Sequence, residues 1–493
     1  MSPAAGPALL VLEDGRIFRG ESFGATGQNL GEAVFTTGMT GYQETLTDPS
    51  YHRQIVVQTA PQIGNTGWND EDDESDRVQV AGYVVRDPAR RPSNWRSTRA
   101  LGDVLTEQGI VGVAGVDTRA VVRHLRERGA MRAGVFSGAA LYSNGALAAD
   151  GDLVERVLAS PAMEGADLYG AVTTREPYVV APEGGEVRFR VAALDVGIKA
   201  NTPRMLAARG VEVHVLPAAT SIEQIVDLGV DGFFLSNGPG DPATADEPVA
   251  LTRAVLERGI PTFGICFGNQ ILARALGRGT YKMRYGHRGI NIPVVEHATG
   301  RVAITSQNHG FAVEGEAGER FVTPYGPARV THTCPNDGCV EGLAGEGFPA
   351  FSVQYHPEAA AGPHDAADLF DRFVALMAEQ PAREGARPSP QPRPRDEEPA
   401  AETPAEQAEP ADDVENGAAA EVAAEEPRID VTVHGEPTML LPQTVARPTD
   451  DRDDDREIDE TVALPRVVPA EDDPDDDAGG RHRLIERHDG EDV

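Results

Sequence analysis

Cys266 lies in a setting that is typical of a nucleophilic thiol. An apolar, strand-like run at 261–265 leads straight into it, and residues 267–276 have the apolar periodicity of a helix. Gly264 and Gly268 flank the cysteine, so the strand-to-helix turn can be sharp and can expose the side chain. The positive end of the helix dipole would favour the thiolate form of the sulfur. The simpler alternative is a buried cysteine that acts as a small hydrophobic residue.

His356 is the candidate base for this thiol, and Glu358 is its candidate orienting group. An apolar run at 350–355 ends at the histidine, and the carboxylate follows two residues later. Both side chains can reach the carboxyl edge of a sheet, where the glutamate would align the imidazole and stabilise its charge. A lone His-Pro-Glu is also compatible with a surface turn. Together with the pattern around Cys266, it favours a triad of nucleophile, base and carboxylate.

A tight turn at 237–242 follows another apolar run and carries Gly238 and Gly240. The sequence Gly-Pro-Gly lets backbone groups approach a ligand without interference from a Cβ atom. The amides of Phe267 and Gly240 are therefore candidates to hold the oxyanion that forms when a carbonyl group is attacked. By itself, such a sequence is most often merely a turn.

The elements that must position these groups alternate between strand and helix over residues 191–378. Near-continuous apolar strands are separated by helical stretches, and the strands are predicted at 191–194, 211–216, 232–235 and 262–265. This pattern predicts an α/β fold with a doubly wound, mostly parallel sheet that helices cover on both faces. Ligands of such sheets bind at the carboxyl ends of the strands, where the candidate residues lie.

The candidate catalytic residues discussed above lie in the third of four segments that are predicted along the chain. Residues 1–155 are predicted to form an N-terminal mixed α/β domain, with a helix between Asp117 and Gly129. Residues 156–190 carry several Pro and Gly residues and little periodicity, so a linker is predicted there. The catalytic α/β domain would then span residues 191–380.

Residues 381–493 are predicted to be a disordered, acidic, proline-rich tail. They hold 33 acidic and 12 basic residues, 15 of the 37 prolines, and no Phe, Trp or Tyr. Such a segment cannot bury enough apolar surface to offset the entropy that is lost on ordering. A spacer or solubilising tail is the simpler interpretation. The alternative interpretation is that two short apolar segments of the tail, at 438–441 and 462–468, are linear motifs.

Charge and cysteine content exclude several classes of protein. The formal net charge is −35, so the chain lacks the excess of cations that nucleic-acid phosphates require. No run approaches the roughly 18 apolar residues of a transmembrane helix, and no basic segment precedes Glu13 and Asp14, so no signal peptide is predicted. Three cysteines do not make a disulfide framework, and we expect a cytoplasmic protein with free thiols.

Several segments resemble one family of glutamine-dependent enzymes. The motifs around Gly238, Cys266 and His356 resemble the class I, triad-type glutamine amidotransferase domain. Further segments narrow the resemblance to the small, glutamine-hydrolysing subunit of carbamoyl-phosphate synthase, and they lie at 37–44, 47–51, 62–67, 282–293 and 307–313. The resemblance covers residues 1–380 and includes an N-terminal domain that other class I glutaminases do not share.

The resemblance implies an activity and a set of site residues. Cys266 would attack the side-chain amide of glutamine, and His356 and Glu358 would complete the triad. No metal and no cofactor is expected on this chain. Contacts to glutamine are implied at eight positions: Ser50, Gly238, Gly240, Phe267, Gln270, Asn308, Gly310 and Phe311.

The resemblance also implies a large synthetase subunit as the partner of this chain. That subunit would receive ammonia through an internal tunnel and make carbamoyl phosphate from bicarbonate and ATP, for pyrimidine and arginine biosynthesis. This chain has no Gly-x-x-x-x-Gly-Lys-Ser/Thr signature and only two lysines, Lys199 and Lys282, so ATP and magnesium are predicted to bind the partner. We expect the partner to dock on the N-terminal domain, and we expect neither a nucleic acid nor a membrane as a partner.

Two positions depart from the family pattern. Phe267 stands where the family usually has leucine, and Asn269 stands where many members have histidine. The amide of Phe267 should still serve the oxyanion, although its ring can alter the pocket wall. Because the triad base lies elsewhere in the chain, we expect activity to survive the change at Asn269.

Three alternative interpretations remain at this point. Another class I glutaminase or a γ-glutamyl hydrolase would share the triad but would lack the N-terminal segments. A catalytically silent scaffold would not need an intact triad. A zinc site formed by His332, Cys334 and Cys339 has loose spacing and no second pair of ligands, so it is the weakest of the three.

Overall fold

The computed structural model describes residues 6–143 and 145–380. The predictions that concern the tail, 381–493, lie outside the described residues. Two β-sheet assemblies dominate the described part, a closed barrel near the N-terminus and a larger open sheet after it. We call them the N-terminal barrel (7–137) and the C-terminal sheet (178–353).

The N-terminal part combines short strands with five helices. Its strands are β1 (Pro7–Leu12), β2 (Ile17–Gly24), β3 (Gln28–Thr36), β4 (Gln54–Gln58), β5 (Gln62–Ile63), β6 (Gly82–Val84), β7 (Asp87–Pro88), β8 (Val111–Ala114), β9 (Met131–Ser137), β10 (Tyr142–Ser143) and β11 (Ala146–Leu147). Its helices are α1 (Tyr42–Thr47), α2 (Leu101–Glu107), α3 (Thr118–Arg128), α4 (Asp150–Leu158) and α5 (Tyr169–Val172), with 3₁₀ turns at Pro49–Tyr51 and Gly138–Leu141. Seven strands close the barrel in the order β1-β2-β8-β6-β4-β3-β9. The mixed α/β character predicted for this part is confirmed.

The helix predicted between Asp117 and Gly129 is confirmed as α3. The side chain of Asp117 caps it by accepting a hydrogen bond from the amide of Ala120 at 3.1 Å. Gly129 ends it with a φ of 106°, which a residue with a Cβ atom would adopt only under strain. Between them, Val121 and Leu125 are fully buried in the core inside the barrel. Caps and an apolar stripe therefore placed this helix correctly.

The C-terminal part contains the larger sheet and five more helices. Its strands are β12 (Tyr178–Val180), β13 (Phe189–Asp195), β14 (Val211–Pro217), β15 (Gly232–Leu235), β16 (Thr262–Ile265), β17 (Thr280–Glu296), β18 (Val302–Val313), β19 (Arg320–Thr323), β20 (Gly326–Thr333), β21 (Val340–Gly345) and β22 (Ala350–Val353). Its helices are α6 (Asn201–Ala207), α7 (Ile222–Asp227), α8 (Asp246–Glu257), α9 (Phe267–Ala275) and α10 (Asp368–Ala378), with a 3₁₀ turn at Pro242–Thr244. The strand order is β12-β14-β13-β15-β16-β22-β21-β18-β17-β20-β19.

The prediction of a mostly parallel sheet is wrong for residues 280–345. Strands β14, β13, β15, β16 and β22 pair in parallel, as expected for strands that helices connect. Strands β17 to β21 instead pair antiparallel, because they follow one another without crossover helices. We call this second half of the sheet, residues 280–345, the antiparallel arm.

Helices cover both faces of the parallel half, as the doubly wound prediction requires. On one face, Val255 of α8 and Ile271 of α9 pack with Phe233 of β15. On the other face, Leu206 of α6 and Phe370 of α10 belong to a second buried cluster. None of the helices that the structure describes is long and apolar enough to cross a membrane.

Residues 156–190, predicted to be a linker, are instead built into the fold. The segment contains the end of α4, the short helix α5 and strand β12, which pairs antiparallel with β14 at the sheet edge. Thr173 Oγ1 donates to the carbonyl oxygen of Asp195 at 2.6 Å, and the Asp195 carboxylate accepts from the amide of Thr174 at 2.7 Å. These elements are too short to show periodicity in the sequence, which is why they were not predicted.

Candidate active site

Cys266 occupies a strained turn between β16 and α9. Its backbone has φ 56° and ψ −104°, a region that residues with a Cβ atom rarely adopt. A Cβ atom on Gly264 would lie 2.7 Å from the carbonyl oxygen of Gly268, and one on Gly268 would lie 2.3 Å from the carbonyl oxygen of Leu235. Both positions therefore require glycine. The sharp strand-to-helix turn predicted from the sequence is confirmed.

The thiol of Cys266 lies against strand β18 of the antiparallel arm. Only 2% of the residue is exposed, and Sγ donates to the carbonyl oxygen of Asn308 at 3.5 Å. Phe267 begins α9, so its amide is one of the first-turn groups that have no acceptor within the helix. This amide and the positive end of α9 are thus available to a negative charge that forms next to the sulfur.

His356 and Glu358 form a tight pair just beyond the end of β22. His356 Nδ1 lies 2.6 Å from Glu358 Oε1, and both side chains are buried. Burial and Lys199 lower the pKa of His356, but the Glu358 carboxylate and the Cys266 sulfur outweigh them and raise it. Among the described residues, His356 Nε2 has no hydrogen-bond partner. Nε2 is therefore the ring nitrogen that is left to serve the thiol.

Lys199 is a buried cation beside this pair, and the sequence analysis did not include it among the site residues. Its Nζ lies 2.8 Å from Glu358 Oε1, and Asp48 and Glu74 add further negative charge around it. Burial lowers the pKa of Lys199, but these carboxylates outweigh burial and raise it. Burial raises the pKa of Glu358, but Lys199 and His356 outweigh burial and lower it to about 2. The carboxylate therefore stays ionised against the imidazole.

The position of Lys199 did carry a signal in the sequence. Strand β13 ends at Asp195, so the lysine lies at the carboxyl edge of the sheet, as the triad does. It is also one of only two lysines in the chain. What the sequence could not show is that three carboxylates from distant segments converge on it.

Replacing Lys199 with methionine should weaken both the fold and catalysis. The variant leaves Asp48, Glu74 and Glu358 without the cation that they share, and removing one partner of a buried pair costs about 3–5 kcal/mol. The pKa of Glu358 should rise, the carboxylate should hold His356 less firmly, and kcat for glutamine hydrolysis should fall roughly 10- to 100-fold. Thermal unfolding and glutaminase assays measure the two effects separately.

The matched control for this variant is Arg204→Met, which removes an exposed cation from the neighbouring helix α6. It should change neither the unfolding temperature nor kcat appreciably. If the Lys199→Met variant matched this control in kcat at neutral pH, the lysine would have no part in supporting the triad.

A pocket of about 350 Å³ of empty volume opens beside Cys266, between the N-terminal barrel and the C-terminal sheet. The structure brings to this pocket all eight residues to which the sequence resemblance assigns contacts with glutamine: Ser50, Gly238, Gly240, Phe267, Gln270, Asn308, Gly310 and Phe311. It adds five lining residues to which the resemblance assigns no contact with glutamine: Glu32, Gln54, Met163, Pro239 and His309. The pocket thus draws on both parts of the chain and ends at the thiol.

Gly238 and Gly240 fit the turn at 237–242 closely against its surroundings. A Cβ atom on Gly238 would lie 2.1 Å from the carbonyl oxygen of Val196. Gly240 has a φ of 98°, and a Cβ atom there would lie 2.7 Å from the carbonyl oxygen of Ala166. Side chains are excluded at both positions, so the backbone of the turn itself lines the pocket.

Ser50 reaches the pocket from the N-terminal part, and hydrogen bonds hold it there. Asp48 Oδ1 accepts from the amide of Ser50 at 2.9 Å and fixes the 3₁₀ turn that carries it. Asn237 Nδ2 donates to Ser50 Oγ and to the carbonyl oxygen of Gly197, both at 2.9 Å. Asn237 therefore ties the turn after β15 to the segment after β13 and to the barrel at once.

The two departures from the family pattern have different surroundings. The ring of Phe267 packs against Tyr169 with 6.4 Å between ring centroids, and the residue forms part of the pocket wall. Asn269 is not among the lining residues. Its Nδ2 donates to Gln354 Oε1 at 3.2 Å, and its Oδ1 accepts from Ser352 Oγ at 2.8 Å. Asn269 thus supports the residues behind the pocket rather than the pocket itself.

The N-terminal barrel supplies two buried acceptors to the pocket. Glu32 Oε2 and Gln54 Oε1 have no hydrogen-bond partner within the described ranges. The other oxygen of Glu32 pairs with Lys282 Nζ at 2.6 Å, which fixes the carboxylate in place. Unpaired buried acceptors are costly unless a ligand satisfies them. They indicate that the ligand of this pocket carries hydrogen-bond donors, such as an ammonium group.

The thiol on the strand-to-helix turn, the histidine–carboxylate pair and the pocket beside the thiol are together those of a class I glutamine amidotransferase domain. The family model described as glutamine amidotransferase class-I matches residues 192–376. A second family model, described as carbamoyl-phosphate synthase small chain, CPSase domain, matches residues 10–135. The two models together cover most of both sheet assemblies.

Named relatives cover nearly the whole of both domains. A carbamoyl phosphate synthase small chain from Mycobacterium tuberculosis (strain CDC 1551 / Oshkosh) is 70% identical over 375 residues, which cover 75% of this chain and 98% of the relative. Those from Streptomyces coelicolor and Corynebacterium diphtheriae are 64% and 62% identical, over 76% and 75% of this chain and 97% of each relative. The chain belongs to the carbamoyl phosphate synthase small chain family.

Proposed function

We propose that this chain hydrolyses glutamine to glutamate and ammonia with a triad of Cys266, His356 and Glu358. The observation that carries the proposal is the strained, buried thiol at the end of a pocket, close enough to the His356 imidazole for its sulfur to raise the pKa of that ring. The Nε2 atom of the ring has no hydrogen-bond partner in the described part of the chain. The match to the glutamine amidotransferase model supports the same activity.

In the first half of the reaction, the Cys266 thiolate attacks the carboxamide carbon of glutamine. The amides of Phe267 and Gly240 hold the oxyanion, and each good donor contributes about 3 kcal/mol to stabilising the transition state. His356 Nε2–H gives its proton to the nitrogen as the C–N bond breaks. Ammonia leaves, and a γ-glutamyl thioester on Cys266 remains.

In the second half, water attacks the thioester carbon while His356 accepts its proton. The C–S bond breaks, glutamate leaves, and the thiol is restored. Glu358 keeps the imidazole aligned through the 2.6 Å contact with Nδ1, and Lys199 keeps Glu358 ionised. No cofactor or metal on this chain takes part in these steps.

The pocket also suggests how glutamine is oriented. The eight lining residues named by the resemblance would contact the substrate, with Gln270 and Asn308 near its amide end. We infer that the α-ammonium group meets the free oxygens of Glu32 and Gln54. A buried carboxylate that faces this group would favour amino acids over amides that lack the ammonium.

The partner in this proposal is a large carbamoyl-phosphate synthase subunit, which docks on the N-terminal domain. It would bind ATP and magnesium and combine the ammonia with bicarbonate, for pyrimidine and arginine biosynthesis. Family membership supports such a partner, as does the absence of a phosphate-binding loop from the sequence. Three free thiols support a cytoplasmic location.

A second pocket supports a separate exit for ammonia. It has about 460 Å³ of empty volume and is lined by Lys199, Ser306 and His356, among others. Asn308 lines both this pocket and the glutamine pocket. Ammonia that leaves the triad on this side would be separated from the entering substrate.

Selective alkylation tests the proposed nucleophile and the proposed substrate together. Iodoacetamide should modify Cys266 and spare Cys334 and Cys339, because burial raises the pKa of those two thiols and keeps them protonated. Glutamine should protect Cys266 in a concentration-dependent way. Mass spectrometry of the digested chain locates the label.

Glutaramic acid, which has the same carboxamide but no α-ammonium group, is the matched control. It should protect Cys266 much less than glutamine does, because it cannot pair with Glu32. Equal labelling of all three cysteines, or labelling that glutamine leaves unchanged, would contradict the proposed function.

A further inference from the structure

A cluster of potential metal ligands lies in the antiparallel arm, apart from the triad. It consists of His287 on β17, Cys334 in the turn after β20, and Glu341 on β21. One ligand atom from each residue lies within 4.8 Å of the other two. A single point therefore lies within about 2.8 Å of all three atoms, and zinc–ligand bonds are about 2.0–2.3 Å long. A small closure of these side chains would supply three of the four ligands that zinc usually takes.

The side chain of Glu341 is the strongest indication that this cluster binds a cation. The residue is fully buried, and neither carboxylate oxygen has a hydrogen-bond partner among the residues that the structure describes. A buried carboxylate without such partners is strongly disfavoured. The nearest cationic group is His287, whose Nδ1 lies 3.3 Å from Glu341 Oε1. This contact does not satisfy the second oxygen.

The imidazole of His287 is oriented as metal-binding histidines are. Its Nε2 lies 2.8 Å from the Asp337 carboxylate, so it can donate its proton there. Nδ1 lies 3.1 Å from Gln307 Oε1 and 3.3 Å from Glu341 Oε1, and both oxygens are acceptors, so in the metal-free chain Nδ1 carries a proton that zinc would displace to solvent. A carboxylate behind the histidine, which fixes the ring and raises its basicity, is the usual outer partner of a zinc ligand.

The chemistry of the donor set selects zinc over harder cations. Imidazole nitrogen, thiol sulfur and carboxylate oxygen are all zinc ligands, whereas calcium and magnesium prefer oxygen alone. The Cys334 thiol would lose its proton to solvent on binding. One Zn²⁺ then balances the charges of the thiolate and the Glu341 carboxylate, so the buried site becomes neutral.

We propose that His287, Cys334 and Glu341 bind a structural zinc ion, with Asp337 as the hydrogen-bonded support of the histidine. This differs from the weak alternative in the sequence analysis, in which His332 was the histidine. The structure instead pairs His332 with Thr331 Oγ1 at 2.8 Å. The ion would link β17 to β21, the two strands on either side of β18. Strand β18 carries Asn308, which lines the glutamine pocket.

Zinc content of the purified full-length chain tests this proposal without reference to activity. After dialysis against a chelator and then against zinc chloride, gel-filtered protein should retain one zinc per chain and unfold at a higher temperature than the chelated form. Cys334→Ser and Glu341→Gln should each reduce the retained zinc at least tenfold. Cobalt substitution should give a thiolate-to-metal charge-transfer band that Cys334→Ser abolishes.

Two matched variants separate this site from other thiols of the chain. Cys339→Ser removes the other thiol of the same turn, and Cys266→Ser removes the candidate nucleophile; both should keep their zinc. A chain that retains zinc far below one equivalent overturns the proposal. Zinc that persists equally in Cys334→Ser and Glu341→Gln does so as well, because it would reflect an adventitious ion only, for example on the tail histidines His434, His482 and His488.

Discussion

Replacing Cys266 with serine should abolish glutamine hydrolysis while leaving ammonia-driven synthesis of carbamoyl phosphate intact. Serine fits the strained turn because it has nearly the same size, so the fold and the pocket should be preserved. A hydroxyl group at this position is a far weaker nucleophile than the thiol at neutral pH. Loss of a nucleophile lowers kcat by roughly 10⁴-fold or more.

The measurement needs this chain assembled with its large subunit. Glutamate release and carbamoyl phosphate formation should be followed with glutamine and, separately, with ammonium chloride as the nitrogen source. Cys339→Ser provides a control, since that thiol lies outside the glutamine pocket and is not one of the proposed zinc ligands. Glutamine turnover within tenfold of wild type in Cys266→Ser would reject the nucleophile, and loss of ammonia-driven synthesis would point to a damaged complex instead.

Replacing His356 with asparagine should lower kcat for glutamine hydrolysis by about 10³-fold. Asparagine can keep a hydrogen bond to Glu358, but it can neither accept the thiol proton nor donate one to the departing ammonia. The thiolate of Cys266 also loses the neighbouring cation that the Glu358 carboxylate stabilises. Alkylation of Cys266 by iodoacetamide at neutral pH should therefore slow down together with hydrolysis.

His364→Asn is the matched control, because His364 is an exposed histidine eight positions downstream. Its hydrolysis and alkylation rates should equal those of wild type. A His356→Asn variant that keeps wild-type alkylation but loses hydrolysis would show that the histidine acts on the leaving group alone. A variant that keeps both would remove His356 from the mechanism.

The core of the candidate site was predictable from sequence because a general rule connects distant segments. Cys266 and His356 each follow an apolar strand, and parallel strands end at the same edge of a sheet. The structure places both residues at that edge, just beyond the ends of the neighbouring strands β16 and β22. No distance information was needed for this step, only the periodicity of the strands and the glycines around the cysteine.

Contributions from the barrel could not be predicted in the same way. Glu32 and Gln54 lie on β3 and β4, in a sheet that shares no hydrogen-bonded ladder with the catalytic one. Their approach to the pocket depends on how the two parts pack, as the pair of Glu32 with Lys282 illustrates. A charge pattern along a single chain does not encode such packing, and neither does local propensity.

The antiparallel arm was missed for a different reason. Strand β17 runs for 17 residues, but irregularities between Lys282 and His287 and between Gly289 and Ile292 shift its pairing with β18. Each shift exchanges the faces of the residues that follow, so the simple alternation of a half-buried strand is lost. The sequence motifs of this region could be recognised, whereas the strands that carry them could not be predicted from the sequence.

The φ of 56° at Cys266 has a consequence for how this protein can evolve. Glycine would adopt that conformation without the penalty of about 1–3 kcal/mol that other residues incur. At this position, the residue that would give the most stable fold is therefore not the residue that catalysis requires. Selection for thermal stability alone would therefore favour replacement of Cys266 by glycine. A screen for stable variants has to require growth on glutamine as the nitrogen source as well, so that the cysteine is kept.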